Sequence, residues 1–119
     1  MPEILRGFTN ALRETGFIDS EAEIHIGVYR WHPTSGMGEH TDGHTDTAIT
    51  FYLNDVWNED WFGDFIFYES AEEKEKGFGH SILPIANRLV INKSTVSHKV
   101  TYTSNLALDR VTLQAFLPK

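Results

Sequence analysis

The stretch "GEHTDGHTDTAITFYLN", residues 38–54, contains the tripeptide His-Thr-Asp twice. The first copy supplies His40 and Asp42, and the second supplies His44 and Asp46. Side chains alternate along an extended strand, so the histidine and aspartate of one copy point to the same face. Either copy could therefore present one imidazole nitrogen and one carboxylate oxygen to a single metal ion.

A third ligand must come from elsewhere in the chain, and the downstream candidates are His80 and His98. His98 opens the predicted strand "HKVTYTS", from which it could reach across a small barrel. Two histidines and one carboxylate leave three positions of an octahedral ion open on one face, which is the ligand set of non-haem Fe(II) oxygenases. Zinc accepts the same ligands in a tetrahedral site with one water.

The last predicted strand, "RVTLQAFL", favours iron over zinc. Arg110, Thr112 and Gln114 share one of its faces. An arginine on the inward face of a buried strand is costly without an anionic partner. A guanidinium bonds a carboxylate through two parallel hydrogen bonds. A dicarboxylic cosubstrate could thus chelate iron at one end and be held by Arg110 and Thr112 at the other.

The pattern of apolar and turn residues predicts one helix followed by about eight strands. Residues 1–17 are predicted to form the helix, because Ile4, Leu5, Phe8 and Leu12 recur at three- and four-residue steps. Gly16 is a plausible stop signal.

The predicted β core covers residues 23–117 and consists of short β-rich runs separated by Gly, Pro, Asn, Asp and Ser. The strands are a short one leading into His40 and the runs "EIHIGVYRW", "TAITFYLN", "DFIFYES", "SILPI", "RLVINK", "HKVTYTS" and "RVTLQAFL". The charged run "EEKEK" is interpreted as a solvated loop. Closure of so many strands into a barrel or a double-sheet jelly roll removes exposed edges.

Length and composition limit the possible functions. The 119 residues predict a single domain, 1–119, and the absence of cysteine excludes thiolate zinc sites, iron–sulfur clusters and a cysteine nucleophile. A formal net charge of -7 makes nucleic acid an unlikely partner. No apolar run is long enough to cross a membrane, and the acidic, amphipathic start is unlike a signal peptide. We expect a cytoplasmic protein.

The order of these motifs resembles the 2-oxoglutarate- and Fe(II)-dependent oxygenase superfamily, most closely its prolyl-4-hydroxylase-like branch. The resemblance covers about residues 24–117. The matching residues are His40 and Asp42, Thr50 with Tyr52-Leu53-Asn54 and Trp57, Asn87-Arg88-Leu89-Val90, His98, and Arg110 with Thr112.

The resemblance implies a double-stranded β-helix, or jelly roll, with iron on His40, Asp42 and His98. It implies further that Arg110 and Thr112 hold the 5-carboxylate of 2-oxoglutarate. Tyr29 falls where the family often places a tyrosine that contacts 2-oxoglutarate.

In the family, a short excursion separates the metal-binding HxD from the next strand, and the distance from His40 to Thr50 leaves room for it. The resemblance therefore assigns iron to the first copy of the tripeptide. His44 and Asp46 become a rim loop that contacts substrate, together with Trp57.

The function implied is a dioxygenase that hydroxylates a C–H bond, in a prolyl or other peptidyl side chain, with Fe(II), 2-oxoglutarate and O2. Ascorbate should stimulate it, and no catalytic residue is expected beyond the metal centre. The substrate would be a peptide, a protein or a small molecule. The alternatives are a non-catalytic metal-binding jelly-roll module and a cupin-like zinc or manganese enzyme. Arg110 and Thr112 favour the oxygenase, because a binding module has no need of them.

Overall fold

The computed structural model describes residues 2–43 and 45–119. Within these residues the chain forms two α-helices, a short 3-10 helix and eight strands. In chain order they are α1 (Glu3–Glu14), β1 (His25–Trp31), β2 (Met37–His40), β3 (Thr45–Tyr52), the 3-10 helix (Glu59–Trp61), β4 (Phe65–Tyr68), α2 (Ala71–Glu75), β5 (His80–Ile82), β6 (Leu89–Lys93), β7 (Ser97–Val100) and β8 (Arg110–Pro118).

The eight strands form two antiparallel four-stranded sheets. The major sheet has the order β1-β8-β3-β6, and the minor sheet has the order β2-β7-β4-β5. Strands that are neighbours in space are mostly distant in the chain, as expected of a jelly roll. The predicted fold, mainly β with eight strands and one N-terminal helix, is confirmed.

Alternation along β8 divides the major sheet into two faces with different roles. Arg110, Gln114 and Phe116 point between the sheets and line a cavity there. Ala115 and Leu117 point outward and pack in an apolar cluster with Leu12 of α1, Ile18 and Ile49 of β3. The helix therefore covers the outer face of the sheet and leaves the inner face to the site.

The inner faces of the two sheets pack together through a second apolar cluster. Tyr52 and Val90 belong to the major sheet, and Phe65 and Val100 belong to the minor sheet. All four side chains are less than a tenth exposed. This cluster occupies one part of the space between the sheets, and the cavity occupies another.

Helix α1 ends at Glu14, two residues before Gly16, which has the positive φ of 77° that favours glycine. Its buried positions are Leu5, Thr9 and Leu12. The prediction that Ile4 belongs to the apolar stripe is wrong, since its side chain is 56% exposed. Thr9 takes a core position because its hydroxyl donates to the Leu5 carbonyl at 2.8 Å.

The prediction of a loop at "EEKEK" is also wrong, because α2 begins there. Ser70 caps the helix by accepting a hydrogen bond from the Glu73 amide at 3.1 Å. The acids Glu72 and Glu73 lie in the first turn, where the helix dipole favours negative charge. In the part of the chain that the structure describes, no helix is long and apolar enough to cross a membrane.

The packing of α1 on the outer face of the major sheet can be tested with two isoleucines that share this face, one beneath the helix and one on the edge strand β6. Ile49 is fully buried under α1, whereas Ile91, its cross-strand partner on β6, is 39% exposed. Ile49→Ala should lower the free energy of unfolding by about 2–5 kcal/mol, because it leaves a cavity in the core. Ile91→Ala should cost about 1 kcal/mol or less. Urea unfolding measures both, and equal losses would contradict the packing described.

Candidate metal centre

Cross-strand pairing brings the first histidine of the predicted site next to the last. His40 ends β2 and lies opposite His98, the second residue of β7, in the antiparallel register. The centroids of the two rings are 4.3 Å apart. His98 is 5% exposed and stacks on Phe65 with 5.1 Å between ring centroids, which limits its rotation.

The backbone determines which imidazole nitrogen is available in each ring. Nδ1 of His40 donates to the Gly38 carbonyl at 2.8 Å, and Nδ1 of His98 donates to the Val96 carbonyl at 2.9 Å. A proton committed to Nδ1 leaves the lone pair of Nε2 free, which is how metal-ligating histidines are oriented in proteins.

The Asp42 carboxylate faces both of these nitrogens. Its Oδ1 lies 3.5 Å from Nε2 of His40, and its Oδ2 lies 3.4 Å from Nε2 of His98. Ligand atoms bound about 2.1 Å from one ion and at right angles to each other are about 3 Å apart. The spacing, the donor types and the free lone pairs of His40, Asp42 and His98 therefore fit a divalent transition-metal ion.

Asp42 reaches this position from a turn rather than from a strand. β2 ends at His40, and the amide of Thr45 donates to the Asp42 carbonyl at 2.9 Å. The expectation that one strand carries both residues is wrong, since the turn redirects the chain after His40. The side chain of Asp42 is held instead by Asn92 of β6, whose Nδ2 donates to Oδ2 at 3.2 Å.

The other downstream histidine belongs to a separate group. His80 opens β5, where its Nε2 lies 3.7 Å from carboxylate oxygens of both Glu69 and Glu73. Of the two candidates for the third ligand, the structure brings only His98 to the first copy of the tripeptide. His44 lies outside the described residues.

A cavity of about 240 Å³ extends between the sheets from the His40, Asp42 and His98 cluster to Arg110. Its remaining lining is mostly apolar or aromatic, with few polar side chains. The other residues that line it are Tyr29, Trp31, Met37, Ala48, Thr50, Phe65, Asn92, Val100, Gln114 and Phe116.

Arg110 is a buried cation without a carboxylate partner among the described residues. It is 2% exposed, and its guanidinium lies over the rings of Trp31 and Tyr52 at 4.9 and 5.1 Å from the centroids. Nη2 donates to the Tyr52 hydroxyl at 3.5 Å, and Nε has no partner in the described part of the chain. Burial lowers the pKa of Arg110 and raises that of Tyr52. An anion in the cavity would relieve this arrangement.

Thr112 shares the inward face of β8 with Arg110 but lies under the cavity surface. It is 1% exposed, and its hydroxyl accepts a hydrogen bond from Nε2 of Gln114 at 3.2 Å. Oε1 of Gln114 accepts from the Thr50 hydroxyl at 3.2 Å. Gln114 is thus the polar group of this strand that lines the cavity beside Arg110, while Thr112 supports it from below.

Tyr29 lies at the rim of the cavity, on the major sheet. Its side chain lines the cavity, is 43% exposed, and packs edge-on against Phe116 with 6.4 Å between ring centroids.

The described residues predicted to contact substrate lie outside the cavity. The Asp46 carboxylate accepts from the Thr47 hydroxyl at 2.9 Å and lines a second groove near the chain's last residues. The Trp57 indole donates to the Phe62 carbonyl at 2.9 Å and packs edge-on against Trp61.

Sequence reasoning missed the roles of two residues on the inner face of the major sheet, Tyr52 and Asn92, whose signal was strand alternation. Tyr52 was recognised as part of a motif but was assigned no role, and it alternates inward with Thr50 on β3. Asn92 alternates inward with Val90 on β6. The two-residue period of β3 and β6 places both side chains on the inner face of the major sheet, as it does for Arg110 and Gln114 on β8.

A comparison with known protein families matches the part of the chain that contains these motifs. Residues 22–117 match the 2OG-Fe(II) oxygenase superfamily, which is most of the chain. No curated protein sequence matches this chain.

Solved structures with a similar fold include a prolyl-4-hydroxylase from Pseudomonas putida, with a TM-score of 0.76 and 18% identity. The match covers 95% of this chain and 64% of that one. A prolyl hydroxylase from Trichoplax adhaerens is also similar, with a TM-score of 0.62 and 20% identity. That structure is a complex with a peptide fragment of the oxygen degradation domain of hypoxia inducible factor. The match covers 81% of this chain and 43% of that one. This chain therefore spans less than two thirds of either hydroxylase.

A cupin domain from Bordetella pertussis is also similar, with a TM-score of 0.50 and 15% identity over 86% of this chain and 88% of that one. These similarities concern the jelly-roll fold. The sequence match is what shows the family, and it agrees with the motif order that predicted it. The chain belongs to the 2OG-Fe(II) oxygenase superfamily.

Proposed function

We propose that this chain is an Fe(II)- and 2-oxoglutarate-dependent dioxygenase domain, comprising residues 1–119, that hydroxylates a C–H bond. The observation that carries the proposal is the pairing of two features within one cavity. The histidine and carboxylate donors converge at one end, and a buried guanidinium with no carboxylate partner among the described residues lies at the other. A zinc or manganese hydrolytic site would need the histidine and carboxylate donors but not the buried guanidinium.

In this proposal His40, Asp42 and His98 hold the iron. Both imidazoles offer Nε2 because their Nδ1 protons are committed to backbone carbonyls. Two histidines and one carboxylate would leave coordination positions on the ion for the cosubstrate and O2. The chemistry that iron and 2-oxoglutarate supply when bound is the conversion of 2-oxoglutarate, O2 and a C–H bond into succinate, CO2 and an alcohol.

Arg110 holds the far carboxylate of 2-oxoglutarate in the same proposal. The rings of Trp31 and Tyr52 keep the guanidinium in place and exclude water from it. The Tyr52 hydroxyl, Gln114 and the supporting Thr112 supply polar contacts around the same end of the cavity. Tyr29 covers the cosubstrate from the rim.

The substrate proposed is a peptide whose prolyl or other side chain enters the mouth of the cavity. This rests on the resemblance to prolyl hydroxylases, one of which is solved with a bound peptide. An extended peptide reaches beyond the mouth, so contacts with His44, Asp46 and Trp57 remain part of the proposal. Ascorbate is proposed to keep the iron reduced between turnovers.

Succinate release from 2-oxoglutarate tests the proposal, measured with Fe(II) and ascorbate and with or without candidate peptides. Release that requires Fe(II) supports the dioxygenase. Binding of zinc or manganese without Fe(II)-dependent succinate would instead favour the cupin-like metalloenzyme. A metal-bound chain that releases no product at all would favour the non-catalytic module.

The ligand assignment predicts different outcomes for matched residues. Asp42→Ala or His98→Ala should reduce Fe(II)-dependent succinate release to background, because two remaining ligands hold the ion poorly. Asp46→Ala and His80→Ala change the same residue types outside the cluster and should retain metal binding. Metal titration of the four variants measures this. Loss of metal in Asp46→Ala with retention in Asp42→Ala would assign the site to the second copy of the tripeptide.

The cosubstrate assignment predicts that Arg110→Ala weakens 2-oxoglutarate binding without removing the metal. Loss of a buried charged partner costs about 3–5 kcal/mol, which corresponds to roughly 100- to 5000-fold in affinity. Arg110→Lys should restore binding only in part, since an ammonium lacks the planar fork. Calorimetric titration of the Mn(II)-loaded protein measures the change. Unchanged affinity in the alanine variant would make Arg110 a structural residue.

A further inference from the structure

Asn92 places an amide where the fold would accept an apolar side chain. It lies on the inner face of β6, two residues after the apolar Val90, and is 7% exposed. Its cross-strand partner on β3 is Ala48. Burial of an amide costs free energy unless the group is hydrogen-bonded, so its presence on this face calls for a partner.

That partner is the metal-facing carboxylate. Nδ2 of Asn92 donates to Oδ2 of Asp42 at 3.2 Å. Asp42 lies in the turn after β2, so strand alternation does not determine where its side chain points. Among the described residues, Asn92 is the only one whose side chain donates an amide or hydroxyl hydrogen bond to the Asp42 carboxylate.

The hydrogen bond distinguishes the two oxygens of Asp42. Oδ2 is the oxygen that receives the amide and that lies 3.4 Å from Nε2 of His98. Oδ1, 3.5 Å from Nε2 of His40, receives no amide from the residues that the structure describes. A neutral donor can fix the plane of the carboxylate in this way without offsetting the negative charge that attracts a cation, as a lysine or arginine would.

We propose that Asn92 is a positioning residue for the metal centre, which acts through Asp42 by restraining Oδ2 and presenting Oδ1 to the ion. This inference rests on the proposed function, since it concerns the same site. Partners of this kind typically contribute a factor of 10 to 100 to metal affinity. The competing explanation is that Asn92 only fills space between the sheets.

A double-mutant cycle separates these explanations, with Co(II) as the probe. Asn92→Leu and Asn92→Ala should each weaken Co(II) binding by about 10- to 100-fold and shift the visible Co(II) spectrum. The alanine variant removes the donor without adding volume, so the pair controls for packing. In an Asp42→Ala background, where the two histidines hold Co(II) only weakly, titration to high Co(II) concentration should give the same residual affinity with and without the Asn92 substitutions, because the group through which Asn92 acts is absent. Asn105→Leu, in an exposed loop, is the matched surface control.

Unchanged Co(II) affinity in both Asn92 variants would overturn the inference. Equal losses with and without Asp42 would also overturn it, since they would show a general effect on the fold. Urea unfolding of each variant reports that effect separately. Failure of the unsubstituted chain to bind Co(II) would reject the proposed function itself, whereas tight binding that does not depend on Asn92 would reject only this inference.

Discussion

The register between β2 and β7 is the constraint on which the candidate metal centre depends. β2 is an edge strand of four residues, and its pairing with β7 is irregular between Met37 and His40. The irregularity still leaves His40 opposite His98, so that the two rings lie side by side. A shift by one residue would turn one imidazole to the outside of the sheet.

The outer face of β2 carries a contact that supports this register. Glu39 pairs with Lys74 of α2 at 2.7 Å and accepts a hydrogen bond from Ser97. The contact with Lys74 and the hydrogen bond from Ser97 lower the pKa of Glu39. Glu39 and Ser97 directly precede His40 and His98, so this exposed contact ties the two strands at the level of the proposed ligands. Surface ion pairs contribute little free energy, and its role is geometric.

The second constraint is the cost of Arg110. A guanidinium between the sheets loses its hydration, and its described contacts are two aromatic faces and one long hydrogen bond to Tyr52. Such an arrangement is less stabilising than an apolar residue of similar volume would be at the same position. Stability therefore does not explain why an arginine occupies this position, whereas the proposed binding of a carboxylate does. The cavity that links Arg110 to the histidines would let the proposed cosubstrate reach both ends.

Much of this arrangement was predictable from the sequence, because strand periodicity and motif order are local signals. The eight strands and the inward face of β8 follow from the spacing of apolar and turn residues, whereas the choice of His40, Asp42 and His98 among the candidate ligands came from the resemblance to the family. The turn that redirects Asp42, and its restraint by Asn92, could not, because they depend on contacts between distant strands. Thr112 lies on the inward face that spacing predicts, and its hydrogen bond from Gln114 is a further contact that spacing does not show.

The positions of the side chains expected to contact substrate were the hardest to predict from the sequence. Asp46 and Trp57 were assigned from their position beside motifs, yet local hydrogen bonds hold both side chains outside the cavity. Asp46 lies on β3 rather than in the expected rim loop, and Trp57 lies in the segment between β3 and the 3-10 helix. Polar groups near the surface find hydrogen-bond partners in many ways, so the sequence constrains the direction of these side chains weakly.

The most direct test of the central claim is a crystal structure of the chain grown anaerobically with Mn(II) and 2-oxoglutarate. The account predicts one ion bound by Nε2 of His40, the Asp42 carboxylate and Nε2 of His98, with the far carboxylate of 2-oxoglutarate on Arg110. An ion bound by Glu69, Glu73 and His80 instead, or a cosubstrate that does not reach Arg110, would contradict it.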